Sequence, residues 1–360
     1  MRSITKKTRN KPITIGEIEV MPGEQQSIDL PLAAMVTHND VKMPLHVIHG
    51  KAPGPCLFVS AAIHGDEING VEIIRRLVNQ KQMKNLKGTL IAIPIVNVHG
   101  FISNSRYLPD GRDLNRSFPG SEKGSLAGRI AHTFFCNIVK KCTHGIDLHT
   151  GARHRDNLPQ IRANMTDPEV ERLALSFGVP VIIDSKIRDG SLRAAGGDED
   201  IPILLYEAGE SLRFNEIAIR AGVRGVLNVI RELGMLSKQK AIAKEKSPII
   251  SRSTSWIRAP ISGILRLLVP LGAKTSKDSV LGIISDPLGQ SEVKVLAQEE
   301  GIVIGRTNLP LTHEGDALFH IAYYKNQAGE VLEQVENFQE YLDPESENQN
   351  FNENFDEPIQ

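Results

Sequence analysis

His64, Asp66 and Glu67 stand within four positions of one another in "AAIHGDEING", directly after the apolar run "CLFVSAAI". An imidazole and a carboxylate spaced H-x-x-E can grip one face of a divalent cation. Catalytic zinc typically takes three protein ligands, at roughly 2.0–2.2 Å for His and carboxylate, and leaves a position for water. Two ligands are too few, so a third should come from the end of another strand. His149 in "GIDLHTG" fits best, because it too leaves a short apolar run by a glycine-bounded turn. His99, after "IPIVNV", is its main competitor; His132 lies in the helix-like "GRIAHTFFCNI", and His144 precedes its strand. Asp66 is adjacent to Glu67, and neighbouring positions point apart, so it is read as a cap on the following helix.

Two other stretches bear on the same chemistry. "SRYLPDGRDLNRSFPG" (105–120) packs Arg106, Arg112, Asp113, Asn115 and Arg116 into a loop with little apolar content. The planar guanidinium fork donates two parallel hydrogen bonds to a carboxylate, so the loop is a candidate anion site. "LLYEAGE" (204–210) puts Glu207 at a further strand end, where a carboxylate could serve as the general base of a metal-assisted hydrolysis. Glu210 reads instead as an early helix residue favoured by the dipole.

The elements that must position these residues follow from the apolar pattern. Residues 13–60 alternate short apolar segments with Pro, Gly and Asn and predict several opening strands. Helix-period and strand-like segments then alternate: "GDEINGVEIIRRLVNQ", "GTLIAIPIV", "SLAGRIAHTFFCNIVKKC", "GIDL", "PEVERLALSFG", "VPVIID", "IPILLYEAG" and "EIAIRAGVRGVLNVIRELGM". Near-continuous apolar strands separated by helices predict an α/β domain with a largely parallel sheet covered on both faces by helices. Ligands bind beyond the carboxyl ends of such strands.

The expected organisation is N-terminal strands over 1–40, a catalytic domain over 41–237, a basic linker over 238–250, a small all-β domain over 251–326 and an acidic tail over 327–360, disordered beyond 342. In the β region, 258–285 resembles 296–322: Ala259, Gly263, Asp278 and Leu281 match Ala297, Gly301, Asp316 and Phe319 at a constant offset of 38. That repeat predicts a pseudo-symmetric β-sandwich or barrel.

Composition narrows the partners. The formal net charge of −1 gives no electrostatic reason for a nucleic-acid or membrane-surface partner, and a small-molecule substrate is expected. No apolar h-region opens the chain and no run of about 18 apolar residues occurs, so a cytoplasmic location is expected. Cys56, Cys136 and Cys142 lack CxxC spacing and are read as small buried hydrophobes.

With H-x-x-E, D-L-N-R, D-L-H and E-A-G in this order, the chain resembles the succinylglutamate desuccinylase/aspartoacylase family, a branch of the zinc carboxypeptidase-like fold. The likeness covers about residues 40–235 and is nearest to the bacterial predicted-deacylase branch, where "GRDLNRSFPG" is followed by a β module. It implies an α/β domain with a mixed, mostly parallel sheet covered by helices, one zinc per chain, held by His64, Glu67 and His149, and hydrolysis of the amide of an N-acylated amino acid. It further implies Glu207 as the base, Arg106 as the group polarising the scissile carbonyl, Asn115 and Arg116 as holders of the substrate carboxylate, and Asp113 as the carboxylate orienting His64. The C-terminal module resembles a biotinyl/lipoyl-type barrel-sandwich, but its hairpin "DPLGQSE" lacks the lysine of a carrier domain; a structural or oligomerisation role, and hence a homo-oligomer, is expected. The rival expectations are a carboxypeptidase-like peptidase and a catalytically silent ligand-binding protein.

Overall fold

The computed structural model of the chain describes residues 9–33, 36–238 and 247–324, with positions 335, 338 and 342. Most of the expected linker and all of the tail beyond 342 lie outside these residues. In chain order the elements are β1 (Ile13–Ile15), β2 (Ile18–Val20), β3 (Gln25–Pro31), β4 (Lys42–His49), β5 (Cys56–Ala61), α1 (Asn69–Val78), β6 (Thr89–Ile93), α2 (Val98–Ile102), α3 (Leu126–Asn137), β7 (His144–Gly151), β8 (Arg155–Ala163), α4 (Pro168–Phe177), β9 (Val181–Asp184), α5 (Leu192–Gly197), β10 (Ile203–Glu210) and α6 (Glu216–Glu232). Strands follow: β11 (Ile249–Ser251), β12 (Ser253–Arg258), β13 (Gly263–Leu267), β14 (Lys274–Thr275), β15 (Val280–Ser285), β16 (Glu292–Leu296), β17 (Gly301–Thr307), β18 (Leu311–Thr312) and β19 (Ala317–Tyr323). The chain forms two compact units, one from the described residues of 1–149, 187–205 and 223–243, the other from those of 150–186, 206–222 and 244–360.

In the first unit β3, β4, β6, β5 and β7 lie side by side, β6–β5–β7 parallel and β3–β4–β6 antiparallel. This is the expected mixed sheet. The largely apolar β6 and β5 are buried along almost their whole length, as in a sheet covered on both faces. Helix α1 buries Ile73, Ile74 and Leu77. A Cβ on Gly70 would stand 2.6 Å from the Cβ of Ala61 and 2.8 Å from that of Leu148, so the close approach of α1 to β5 and β7 requires glycine there. Phe58 and Phe134 meet edge to face in the core below.

In the second unit β8 runs parallel to β9, and β9 to β11, while β17 pairs antiparallel with β8 over Arg155–Asn157. Helix α4 starts where the Asp167 side chain accepts from the amides of Glu169 and Val170, with Pro168 at its first turn, and stops at left-handed Gly178. The C-terminal repeat becomes two four-strand layers, in the orders β16-β15-β13-β18 and β12-β19-β17-β14. Exchanging β12–β15 for β16–β19 turns one layer into the other, as a repeated half-unit predicts. Ala259 N–H donates to the Asp316 carbonyl at 2.8 Å and Ala297 N–H to that of Ser279 at 2.9 Å, so each half closes the other. Leu281 and Phe319, matched in the sequence, are both buried in the core between the layers.

No helix among the described residues is long and apolar enough to cross a membrane. Of the cysteines, Cys142 is buried and Cys56 and Cys136 half-buried; the Cys56 and Cys142 sulfurs lie 3.4 Å apart as free thiols.

Candidate metal centre and active site

The chain leaves β5 through Ala62, whose φ of +50° is uncommon for a residue with a Cβ, and turns tightly as the Glu67 N–H bonds the His64 carbonyl at 3.1 Å. A Cβ on Gly65 would lie 2.0 Å from the carbonyl carbon of Gly100, so this loop can rest on α2 only with glycine at that position. Helix α1 begins at Asn69 behind Ile68, with no side-chain cap. Asp66 is therefore not the expected cap: the turn places it three residues before the helix. It is buried, its Oδ1 has no hydrogen-bond partner among the described residues, and burial followed by the Glu67 charge pushes its carboxyl up.

His64, Glu67 and His149 are all buried and offer ligand atoms within 4.8 Å of one another. Glu67 lies between the rings: Oε1 is 2.8 Å from His64 Nδ1, and Oε2 is 2.7 Å from His149 Nδ1. Each imidazole turns its other nitrogen to a carboxylate. His64 Nε2 is 3.1 Å from Asp113 Oδ1, and His149 Nε2 is 2.7 Å from Asp147 Oδ2. Ser60, register partner of Asp147 on β5, donates to Asp147 Oδ1 at 2.9 Å. His149 lies inside β7, two residues before its end, whereas the sequence suggested that it followed the strand.

Charge balance explains the titration. Burial alone would lower both imidazoles; Glu67 and Asp113 around His64, and Asp147 and Glu67 around His149, outweigh it and raise them. Burial would likewise raise Glu67 and Asp113, yet the neighbouring cations hold both well below the ordinary carboxylate range. Two protonated imidazoles with Arg106 balance the carboxylates of Glu67, Asp113 and Asp147. A dication held by two neutral imidazoles gives the same balance, so the donor set fits a divalent metal.

The arginine loop closes over this group. Arg106 donates to Glu67 Oε1 at 3.2 Å and to Asp113 Oδ2 at 3.0 Å. Asn97, fully buried, caps α2 by accepting from Gly100 N–H and donates to the Arg106 carbonyl at 3.4 Å, which fixes the turn that aims the guanidinium. Asp113 also accepts from the Asn115 N–H at 2.9 Å, starting a 3-10 turn over Leu114–Arg116. The Asn115 amide oxygen accepts from Leu192 N–H, the first donor of α5, at 2.9 Å, leaving its Nδ2–H as the group it can offer a ligand. The Arg116 guanidinium bonds the Asn115 carbonyl, and Arg112 pairs with Asp110 on the exposed side.

Glu207 belongs to the second unit. Its Oε2 accepts from Arg162 Nε at 2.7 Å and from Asn157 Nδ2 at 3.4 Å. Glu210 is not a helix residue: it ends β10 and accepts from His154 N–H and Asn308 Nδ2 at 2.9 and 2.8 Å, while α6 starts only at Glu216. Among the competing histidines, His99 sits in α2, His132 faces Cys136 within α3, and His144 bonds Thr143; none belongs to the His-Glu-His group.

Residues 53–233 match the model of the succinylglutamate desuccinylase/aspartoacylase catalytic domain. The chain belongs to that family. It is 26% identical over 308 residues to the N-alpha-acetyl-L-2,4-diaminobutyric acid deacetylase of Halomonas elongata, spanning 78% of this chain and 86% of the relative. Two solved structures share its fold at 23% identity. The succinylglutamate desuccinylase/aspartoacylase of Rhodobacter sphaeroides superposes with a TM-score of 0.73, over 83% of this chain and 96% of that one. The product-bound ectoine utilization protein EutE (DoeB) of Ruegeria pomeroyi gives 0.74, over 83% and 94%. Asp147 and Asn97 are the residues of this family member that sequence reasoning passed over. Asp147 had a signal, since two residues before His149 on a strand is the same face; Asn97 had none beyond preceding a short helix.

Proposed function

We propose that the protein is a zinc-dependent amidohydrolase that splits the amide bond of a small N-acyl amino acid, releasing a carboxylate and an amine. The buried His64–Glu67–His149 group, backed at both imidazoles by Asp113 and Asp147, carries this reading. The activities named for the family and for the Halomonas deacetylase support the bond and the substrate class. His64, Glu67 and His149 are the residues that would hold the metal. Zinc in such a site supplies Lewis acidity toward water and a carbonyl oxygen.

The chain's own groups divide the remaining work. Asp113 and Asp147 hold each imidazole so that Nδ1 faces inward. Arg106, aimed by Asn97, donates toward the oxygen on which negative charge develops; loss of one such donor typically costs roughly 2.7–4 kcal/mol of transition-state stabilisation. Asn115 Nδ2 and the Arg116 guanidinium bind the substrate carboxylate. Glu207, held through Oε2 by Arg162, takes the proton of the attacking water on Oε1 and passes it to the leaving amine.

A hydrolysis screen tests the reading. N-acetyl and N-succinyl amino acids, including derivatives of diaminobutyrate, glutamate and aspartate, are compared with short unblocked peptides. Release of free amine from the N-acyl compounds is expected; cleavage of peptides alone would replace the deacylase reading with a carboxypeptidase.

A further inference from the structure

Two free thiols touch where the strands that carry the metal group begin. Cys56 opens β5, whose far end leads to His64; Cys142 lies two residues before β7, which holds Asp147 and His149. The two strands pair in parallel from Leu57 with His144 to Ala61 with Leu148. Below that ladder the backbones stay locked together: Cys56 N–H donates to Thr143 Oγ1 at 3.1 Å, and Thr143 N–H donates to the Cys56 carbonyl at 2.7 Å. Cys142 is the adjoining residue, and its sulfur stands 3.4 Å from that of Cys56. A disulfide requires Cα atoms roughly 4.4–6.8 Å apart. Residues on adjacent strands, one step out of register, are about 6 Å apart, so the sheet need not move; the sulfurs must close to about 2.05 Å by side-chain rotation.

The pair lies at the surface end of the strands. Gly54, Lys141 and Thr143 around it are exposed, Cys56 is half-buried and Cys142 is buried. Burial and the contact with Cys56 push the Cys142 thiol well up, so it stays S–H at neutral pH, and the more exposed Cys56 is the sulfur that an oxidant meets first. Cys136 provides the contrast: it too is half-buried, but it stands 3.6 Å from His132 Nδ1 and touches no thiol among the described residues. Treating Cys56 and Cys142 as small apolar residues accounts for their burial, not for the contact between their sulfurs.

We propose that Cys56 and Cys142 form a redox modification site, which a peroxide closes into a reversible disulfide stapling the start of β5 to the start of β7. With hydrogen peroxide, the Cys56 thiolate attacks one oxygen; the S–O bond forms as the O–O bond breaks, and the leaving hydroxide takes the proton Cys56 released, as water. The Cys142 sulfur, giving up its proton, then attacks the Cys56 sulfur. The S–S bond forms, the S–O bond breaks, and the departing hydroxide takes that proton as a second water. Two thiols are oxidised and one peroxide is reduced; a dithiol reverses the link by exchange. The link closes the long loop from 56 to 142, which contains α1, β6, α2 and α3, so it acts chiefly by restricting the unfolded chain. This inference does not rest on the hydrolase reading.

The test treats the full-length protein as purified with a few equivalents of hydrogen peroxide, quenches with catalase and alkylates the remaining thiols with N-ethylmaleimide in urea. Peptide mapping is expected to find residues 56 and 142 joined and Cys136 alkylated, and dithiothreitol should make all the thiols alkylatable again. The melting midpoint of the linked protein should rise by roughly 5 °C. Cys136→Ser should still close the link, whereas Cys56→Ser should neither close it nor gain in midpoint. Cys56 and Cys142 both alkylated after treatment, Cys56 carried on to sulfinic acid with Cys142 still free, or an unchanged midpoint in the linked protein overturns the proposal. Should Cys56→Ser fail to fold, the wild-type map and midpoint decide alone.

Discussion

His149 meets two carboxylates at 2.7 Å, Glu67 on one ring nitrogen and Asp147 on the other, and this double grip fixes which nitrogen is presented inward. Asp147→Asn keeps the shape but removes the charge that favours the metal-ready tautomer. Zinc affinity should fall roughly 10–100-fold, read by competition with a chromophoric chelator; an unchanged affinity would contradict the role. Asp156 provides a second residue-scale prediction. Burial, with Glu210 adding to it and Arg306 opposing, raises its carboxyl to about 6. Between pH about 4 and about 6 the folded chain then holds a proton that the unfolded chain has released, so this group's contribution to stability falls as pH rises through that window and is flat above it. Relative to wild type, Asp156→Asn should gain about 1–3 kcal/mol between pH about 4 and about 7, read by urea denaturation. An equal difference at both pH values would show that Asp156 is not held protonated. At this scale the sequence was informative where ligand chemistry restricts residue type, as at His64, Glu67 and His149, and uninformative where the role depends on partners distant in sequence, as for Asn97, Asp156 and Arg162.

The loop between β5 and α1 works because two backbones touch. Gly65 lies so close to α2 that an added Cβ would meet Gly100 and Phe101 backbone atoms at 2.0–2.2 Å, with no flexible side chain to yield. Gly65→Ala should therefore shift α2, and with it the turn that carries Arg106. A loss of about 1–3 kcal/mol of stability is expected in urea denaturation, together with weaker zinc binding; a variant as stable as wild type would contradict the contact. Elements were legible wherever apolar runs were long. The helix patterns at 68–78, 168–177 and 216–232 became α1, α4 and α6, because burying an apolar stripe against a sheet leaves a clear period. Strand β8 was missed: "RDNLPQIRA" carries two arginines and a proline, and it is a strand because β9, β10 and β17 pair with it, which no local pattern reveals. The expected cap at Asp66 and early helix residue at Glu210 failed for a related reason, since residue type suggests a helix start but only the turn geometry decides where a helix begins.

The two units are interleaved along the chain, and the C-terminal strands belong to the same unit as Glu207 and β8. The repeat at an offset of 38 residues was readable because two halves closing on each other need the same buried positions. The pairing of β17 with β8 was not, because register between distant strands leaves no trace in either segment alone. For the molecule as a catalyst, Glu207→Gln should retain zinc and lose turnover by several orders of magnitude; full activity in that variant would remove Glu207 from the mechanism. The most direct measurement is zinc content and amide hydrolysis on one preparation, before and after chelation. The account predicts one zinc per chain, hydrolysis of an N-acyl amino acid that is lost on chelation and regained with added zinc, and neither zinc nor activity in His149→Ala. Undiminished hydrolysis by metal-free protein, or no hydrolysis of any N-acyl amino acid by the zinc-loaded chain, would contradict it.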